Sequence, residues 1–203
     1  MVSQNLMRHF TKADVLGAGR CRLVVFGKVY ELGELLDERK GDPGAKALLE
    51  AQGTDISHWF KNASGQIRTA RIENEEYDEV PFSPVGNFLD LTTPPGEKKR
   101  WWEDDQYVIG PMAKRTRLVK VENVLTGQMA LLDVPVDETL RDIQLRYENF
   151  NFHASSYTWK FLGRVLDLEK TLDQNAIPEL QVSQIAMDVP VLHVYFNDDL
   201  TEA

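Results

Sequence analysis

Residues 116–147 read TRLVKVENVLTGQMALLDVPVDETLRDIQLRY, and this stretch decides the fold of the second half of the chain. Arg117 to Val121 is a β-rich run, Leu125-Thr126-Gly127-Gln128 is a turn, and Met129 to Val134 is the return strand. Asp137 or Thr139 then caps a helix running to about Tyr147, with Leu140, Ile143, Leu145 and Tyr147 supplying its apolar positions. Working outward, Tyr157 to Leu162 is a third strand, and Gly163-Arg164 turns into Val165-Leu166. Thr171 to Asn175 is a short turn, and Val191 to Phe196 is a last strand.

Two hairpins with an amphipathic helix between them give the order ββαββ, that of a β-grasp sheet wrapped on one helix. Upstream, residues 9–60 form a compact α/β unit. Thr11 caps a short helix from Lys12 to Leu16. Arg22 to Phe26 and Val29 to Leu32 make a hairpin around Gly27-Lys28. Leu35-Leu36 starts a helical turn that Gly41-Asp42-Pro43-Gly44 breaks. Ala45 to Gln52 is a helix with Ala47, Leu48 and Ala51 on one stripe and Gly53 as its stop, and another short helix runs from Ile56 to Phe60. Residues 61–100 carry Pro81, Pro84, Pro94 and Pro95 with Gly86 and Gly96, which is loop chemistry. The expected organisation is therefore a first module over 1–75, a linker or docking arm over 76–111, and a second module over 112–203. Trp101 and Trp102, adjacent in a polar stretch, bury against their own domain or against a partner. They are the candidate docking residues of the arm.

With 42% hydrophobic and 27% charged residues, the 203-residue chain has the composition of a folded protein rather than a disordered one. No apolar run approaches the length of a bilayer span, and Met1 to Leu6 shows no charged lead into an apolar stretch, so neither membrane nor secretion is expected. Cys21 is the only cysteine, which fits a reducing, cytoplasmic compartment. Residues 1–100 carry 14 Lys/Arg against 15 Asp/Glu, whereas residues 101–203 carry 9 against 17. An acidic second half repels phosphate backbones, so nucleic acid is excluded as the expected partner.

The second half resembles ubiquitin-like domains. The carriers are Leu125-Thr126-Gly127, the passage from Val134 to Leu140, Phe161-Leu162-Gly163, and Thr171-Leu172 followed by Asn175 and Ile177. Asp198 to Ala203 supplies no Gly-Gly tail, so the resemblance implies a docking fold and not a conjugated one. The first half is similar to a cytochrome b5-type module through Phe26 to Tyr30, Leu35-Leu36-Asp37-Glu38, and Gly53-Thr54-Asp55 ahead of Phe60. That family follows Leu-Asp-Glu with His-Pro-Gly-Gly, whose histidine ligates haem iron. Here the stretch reads Arg39-Lys40-Gly41-Asp42, and the second axial histidine would fall near Gly65. Arg39 stays protonated and has no lone pair for iron. His58 is the candidate haem ligand that remains, or else part of a packed helix end; Tyr30 or Lys40 would assist it, and Cys21 is either a thiolate source or an inert buried thiol.

The two modules in this order resemble the cytochrome b5 domain-containing protein 1 family. The words that carry this are Asp55 to Phe60, Gly65 to Thr69, Trp101-Trp102 with Tyr107, Ala113 to Arg117, His153 to Lys160 and Tyr195 to Glu202. The resemblance implies an α+β protein of motile cilia in the axoneme at the radial spoke stalk, with other radial spoke proteins as partners. The expected role is structural, supporting ciliary beating. The alternative is a haem-binding redox sensor or electron carrier using the first module. No catalytic set is expected: His9, His153 and His193 assemble no Ser-His-Asp triad, and no Cys/His cluster has metal-site spacing. His153 is read as a structural hydrogen-bonder, Gly17-Ala18-Gly19 as too short for a phosphate loop, and Glu75-Glu76 and Asp198-Asp199 as solvated surface.

Overall fold

The computed structural model describes residues 8–17, 19–70, 80–81, 83, 86, 88–91, 99–179 and 189–197. Glu75-Glu76 and Asp198-Asp199 lie outside the described residues, as does Ala18. The chain is α+β and divides into two compact units, Met1–Met112 and Ala113–Ala203.

In the first unit, Thr11 and Asp14 form a capping box that starts α1 (Lys12–Leu16). Strands β1 (Arg22–Val25) and β2 (Lys28–Glu31) pair antiparallel, with Leu23 opposite Tyr30 and Val24 opposite Val29. The turn between them is Phe26-Gly27, one residue earlier than the sequence pattern suggests, and both residues take positive φ, 47° and 75°. A two-residue hairpin loop of that kind matches the strand twist. The apolar run Leu23-Val24-Val25 is continuous because both faces of the hairpin are covered. Leu23, Val25 and Tyr30 enter the main core, while Val24 and Val29 pack with Phe10 and Val15.

Helix α2 (Gly33–Glu38) follows β2, and α3 (Pro43–Glu50) begins two residues before the expected Ala45. The helix is broken after Glu38, as expected, but Asp42-Pro43-Gly44 also starts α3. The Asp42 carboxylate accepts from the Gly44 N–H at 2.8 Å, and Pro43 occupies the first helical position, where its missing N–H costs nothing. Residues 53–56 then run beside β1, hydrogen bonded through Val24, and lead into a 3₁₀ turn at Ser57–Trp59. Strands β3 (Thr69–Ala70) and β4 (Val80–Pro81) form a short antiparallel pair.

Within the arm expected over 76–111, several described residues belong to the first unit instead. Phe88 and Leu89 are buried in the first core, Trp101–Glu103 and Asp105–Tyr107 are 3₁₀ turns, and β5 (Val108–Pro111) adds to β2 as the third strand of the sheet. Proline and glycine mark where regular elements stop. They do not tell whether the irregular backbone between them is buried.

The second unit holds a five-stranded sheet in the order β7-β6-β10-β8-β9. Its strands are β6 (Thr116–Asn123), β7 (Met129–Pro135), β8 (Tyr157–Phe161), β9 (Arg164–Val165) and β10 (Val191–Phe196). The two hairpins are antiparallel, and β10 lies between them, parallel to β6 and antiparallel to β8. The second hairpin turns at Leu162-Gly163, φ 47° and 80°. Thr139, rather than Asp137, caps α4 (Leu140–Tyr147) in a second capping box with Asp142. Leu140, Ile143 and Tyr147 face the core with Val119, Val121, Leu132, Trp159 and Leu192. Leu145, expected on that face, is 54% exposed. Its place on the inner side is taken by Gln144, whose Nε2 donates to Ala154 O at 2.6 Å, and by Arg146.

Candidate functional site

The positions at which a b5-type module would present its two histidines are Arg39 and the neighbourhood of Gly65. Arg39 ends α2, where its N–H donates to Leu35 O, and its guanidinium lies 3.5 Å from the Asp90 carboxylate. Asp90 itself sits at φ 72°, a left-handed conformation uncommon for a residue other than glycine. Around this ion pair is a cavity of about 360 Å³ whose lining includes Glu38, Arg39, Asp90, Lys99, Arg100 and Tyr107. Burial pushes the Tyr107 phenol above its ordinary range, and the nearby Asp104 carboxylate adds to the shift.

Gly65 is in the turn after Phe60, at φ 81°. Its carbonyl accepts from Trp102 Nε1 at 3.0 Å, and a Cβ added there would lie 3.0 Å from the Trp102 ring. Trp102 is thus fixed at both ends, because its own carbonyl accepts from the Tyr30 hydroxyl at 3.1 Å. Burial raises the Tyr30 phenol and Asp105 reinforces the shift, so Tyr30 keeps its proton and remains a donor.

Five aromatic rings fill the middle of the unit. Phe88 lies edge-on to Trp102 with ring centres 5.1 Å apart, edge-on to Trp59 at 5.6 Å, and stacked with Trp101 at 6.1 Å. Phe60 contacts Phe88 and Trp102. Edge-to-face and offset geometry of this kind adds about 0.5–1.5 kcal/mol per pair beyond area burial. Trp101 is 1% exposed and Trp102 6%, so both indoles are spent on the chain's own core. Of the two readings, burial against their own domain holds, and their assignment as docking residues is corrected. Sequence spacing showed that the pair had to be buried, but not against what.

The remaining candidates are placed plainly. His58 is exposed on the Ser57–Trp59 turn, with its ring edge-on to Trp59. Tyr30 is engaged on Trp102, and Lys40 is exposed. Cys21 is buried, donates weakly from Sγ to Leu48 O at 3.7 Å, and burial pushes its thiol up to about 11. A thiol that stays protonated is no thiolate ligand. Trp59 Nε1 and Trp101 Nε1 are buried without a hydrogen-bond partner among the described residues. They are donors only and offer iron no lone pair. The residues present therefore do not fit a haem held by axial side chains. No cluster of three or more His, Cys, Asp or Glu residues that could hold a metal ion occurs among the described residues.

In the second unit, His193 on β10 lies 3.4 Å from Glu122 of β6, and His153 is exposed ahead of the Ala154–Ser156 turn. His153 does serve the turn through its backbone, donating from N–H to Asn151 Oδ1 and accepting from Ser156 N–H. Sequence reading missed the buried pair Arg146–Glu138, both side chains 5% exposed, with Arg146 Nε donating to Glu138 Oε2 at 2.6 Å. It also missed Arg117, whose guanidinium reaches Asp173 at 2.7 Å and the carbonyls of Ile177 and Pro178. The available signal was a charged residue at a core-facing position of its element, Arg117 in step with Val119 and Val121.

No protein-family model matches the chain. Among curated proteins, it is 40% identical over 191 residues to "Cytochrome b5 domain-containing protein 1" of Xenopus tropicalis, covering 87% of each. It is 35% identical over 213 residues to the Homo sapiens protein of that name, covering 96% of this chain and 92% of the relative. The Mus musculus protein of the same name is 34% identical over 211 residues, with the same coverage.

Proposed function

The chain belongs to the cytochrome b5 domain-containing protein 1 family, and on that premise we propose that it is a non-catalytic structural and interaction component of the motile cilium axoneme. Its place in this reading is the radial spoke stalk, its partners are other radial spoke proteins, and its role is to support ciliary beating. Neither nucleic acid nor membrane is a partner in it, and no helix of the described residues is long and apolar enough to cross a membrane.

The observation that carries the structural half of the proposal is the filled centre of the first unit. Phe60, Phe88, Trp101 and Trp102 close it with side chains, which leaves a module that offers surface rather than a reaction centre. The second unit supports the same reading. A sheet ordered β7-β6-β10-β8-β9 over one helix is what a ubiquitin-like β-grasp requires. Along β6 and β7, Leu118, Met129 and Leu131 alternate with the buried residues and point away from the core. Apolar side chains on a sheet face are available for docking. The ciliary placement rests on the sequence words from Asp55 to Phe60, His153 to Lys160 and Tyr195 to Glu202.

The haem-based redox sensor or electron carrier centred on His58 is the weaker reading, because His58 is exposed and Arg39 and Gly65 stand at the usual ligand positions. The deciding experiment is fractionation of cilia from cells carrying a tagged copy. Retention in demembranated axonemes, with density at the spoke stalk by tomography and impaired beating when the chain is removed, is the expected result. Release with the membrane and matrix fraction would overturn the proposal.

A further inference from the structure

Residues 88–90 and 101–102 touch the rest of the first unit at points that share one geometry. Asp90 reaches Arg39 at the end of α2, and the Leu89 backbone crosses the first turn of α3 so closely that a Cβ on Gly44 would sit 2.6 Å from Leu89 N. Phe88 packs on Trp59 and Phe60, and Trp102 covers Gly65 and is held by Tyr30. Thus Asp90 stands against position 39 and Trp102 against position 65, with Phe88 against the ring of Trp102. Those are the two positions from which a b5-type module would grip its haem from opposite sides.

From this we infer that Phe88, Leu89 and Asp90, with Trp101 and Trp102, are the unit's own replacement for the haem, so that the module completes its core with Phe88, Trp101 and Trp102 and folds without the cofactor. Three features fit a built arrangement rather than a collapsed gap. Gly44 and Gly65 are both glycines at the points of closest approach: a side chain at 44 would collide with the Leu89 backbone, and one at 65 would press on Trp102 from a positive-φ backbone. Both ends of Trp102 are hydrogen bonded, through Nε1 to Gly65 O and through its carbonyl to Tyr30. Asp90 holds a left-handed backbone conformation that brings its carboxylate to Arg39, the residue standing where the iron ligand would be. A planar macrocycle entering between positions 39 and 65 would have to displace Phe88 and Trp102 together and separate the ion pair.

This inference goes beyond the axonemal role and is tested in the purified full-length chain, where failure of the ciliary placement has no bearing on the outcome. The probe is ferric haem, titrated into the wild-type chain and into Arg39→His, which supplies the missing imidazole without touching Trp102. Absorbance near 400 nm, quenching of tryptophan fluorescence and the thermal midpoint are read in each. The expected result is no saturable one-to-one Soret band in either protein, and a midpoint unchanged by haem. A ligand bound at 100 times its dissociation constant would raise the midpoint by several degrees. Saturable binding by the wild-type chain would overturn the inference. Binding by Arg39→His alone would overturn it too, since it would show that a ligand was missing and not the space. If Arg39→His does not fold, the wild-type titration and its thermal midpoint still decide.

Discussion

Cys21 shows how burial governs a single side chain. The thiol is packed in the first core against α3, and its pKa moves from about 9 to about 11 because a thiolate there would lose its water. With the pKa at about 11, the thiolate fraction at pH 8 falls by about a hundredfold. Since burial also blocks access, iodoacetamide should modify the folded chain at least about a hundredfold more slowly than the denatured chain, which mass spectrometry of timed samples reads directly. The same shift fixes a pH dependence. Below pH 9 the thiol is protonated in both states. Between about 9 and 11 the unfolded chain ionises first, so stability falls as pH rises through that window. A Cys21→Ala chain should lose that part of the slope. Glu138 and Arg146 form the complementary case, a buried ion pair in the second unit. Arg146→Leu alone leaves a carboxylate without its partner and should cost about 3–5 kcal/mol in urea unfolding. Replacing both by apolar residues should cost much less.

Among the elements, the two capping boxes show what local sequence can specify unaided. Thr139 and Asp142 start α4, and the Thr139 hydroxyl and Asp142 carboxylate satisfy the free N–H groups of the first turn and the cap. Thr139→Ala should lower the stability of the second unit by about 1 kcal/mol and leave the unfolding of the first unit unchanged. Separate probes are at hand, since Trp159 lies in the second core while Trp59, Trp101 and Trp102 lie in the first. Turns were less legible. Phe26-Gly27 and Leu162-Gly163 each place a bulky residue at positive φ. No propensity assigns Phe or Leu there, and the register of the paired strands imposes it. Leu145 gives the converse: an apolar residue in a helical run still faces outward when the stripe passes through 140, 143 and 147.

For the whole molecule, the boundary between the units falls after Met112. A fragment of residues 1–112 should fold, as should 113–203. A fragment ending at residue 75 lacks β5 and the rings of Phe88, Trp101 and Trp102. Losing a buried Phe or Trp side chain costs about 3–5 kcal/mol, and a domain's whole stability is about 5–15 kcal/mol. The 1–75 fragment should therefore give a collapsed, poorly dispersed NMR spectrum while 1–112 gives a dispersed one. By itself the sequence determined the strand and helix order of the second unit, because periods of two and 3.6 and the cap residues are local properties. It also determined that Arg39 and Gly65 stand where iron ligands are expected, since residue identity alone settles lone-pair chemistry. Only the tertiary structure decided that Phe88 and Leu89 belong to the first core, and that Trp101 and Trp102 are packed inside it. The physical reason is that burial of an irregular segment depends on contacts with residues 30, 39, 44, 59, 60 and 65, far from it along the chain, and no local periodicity records them.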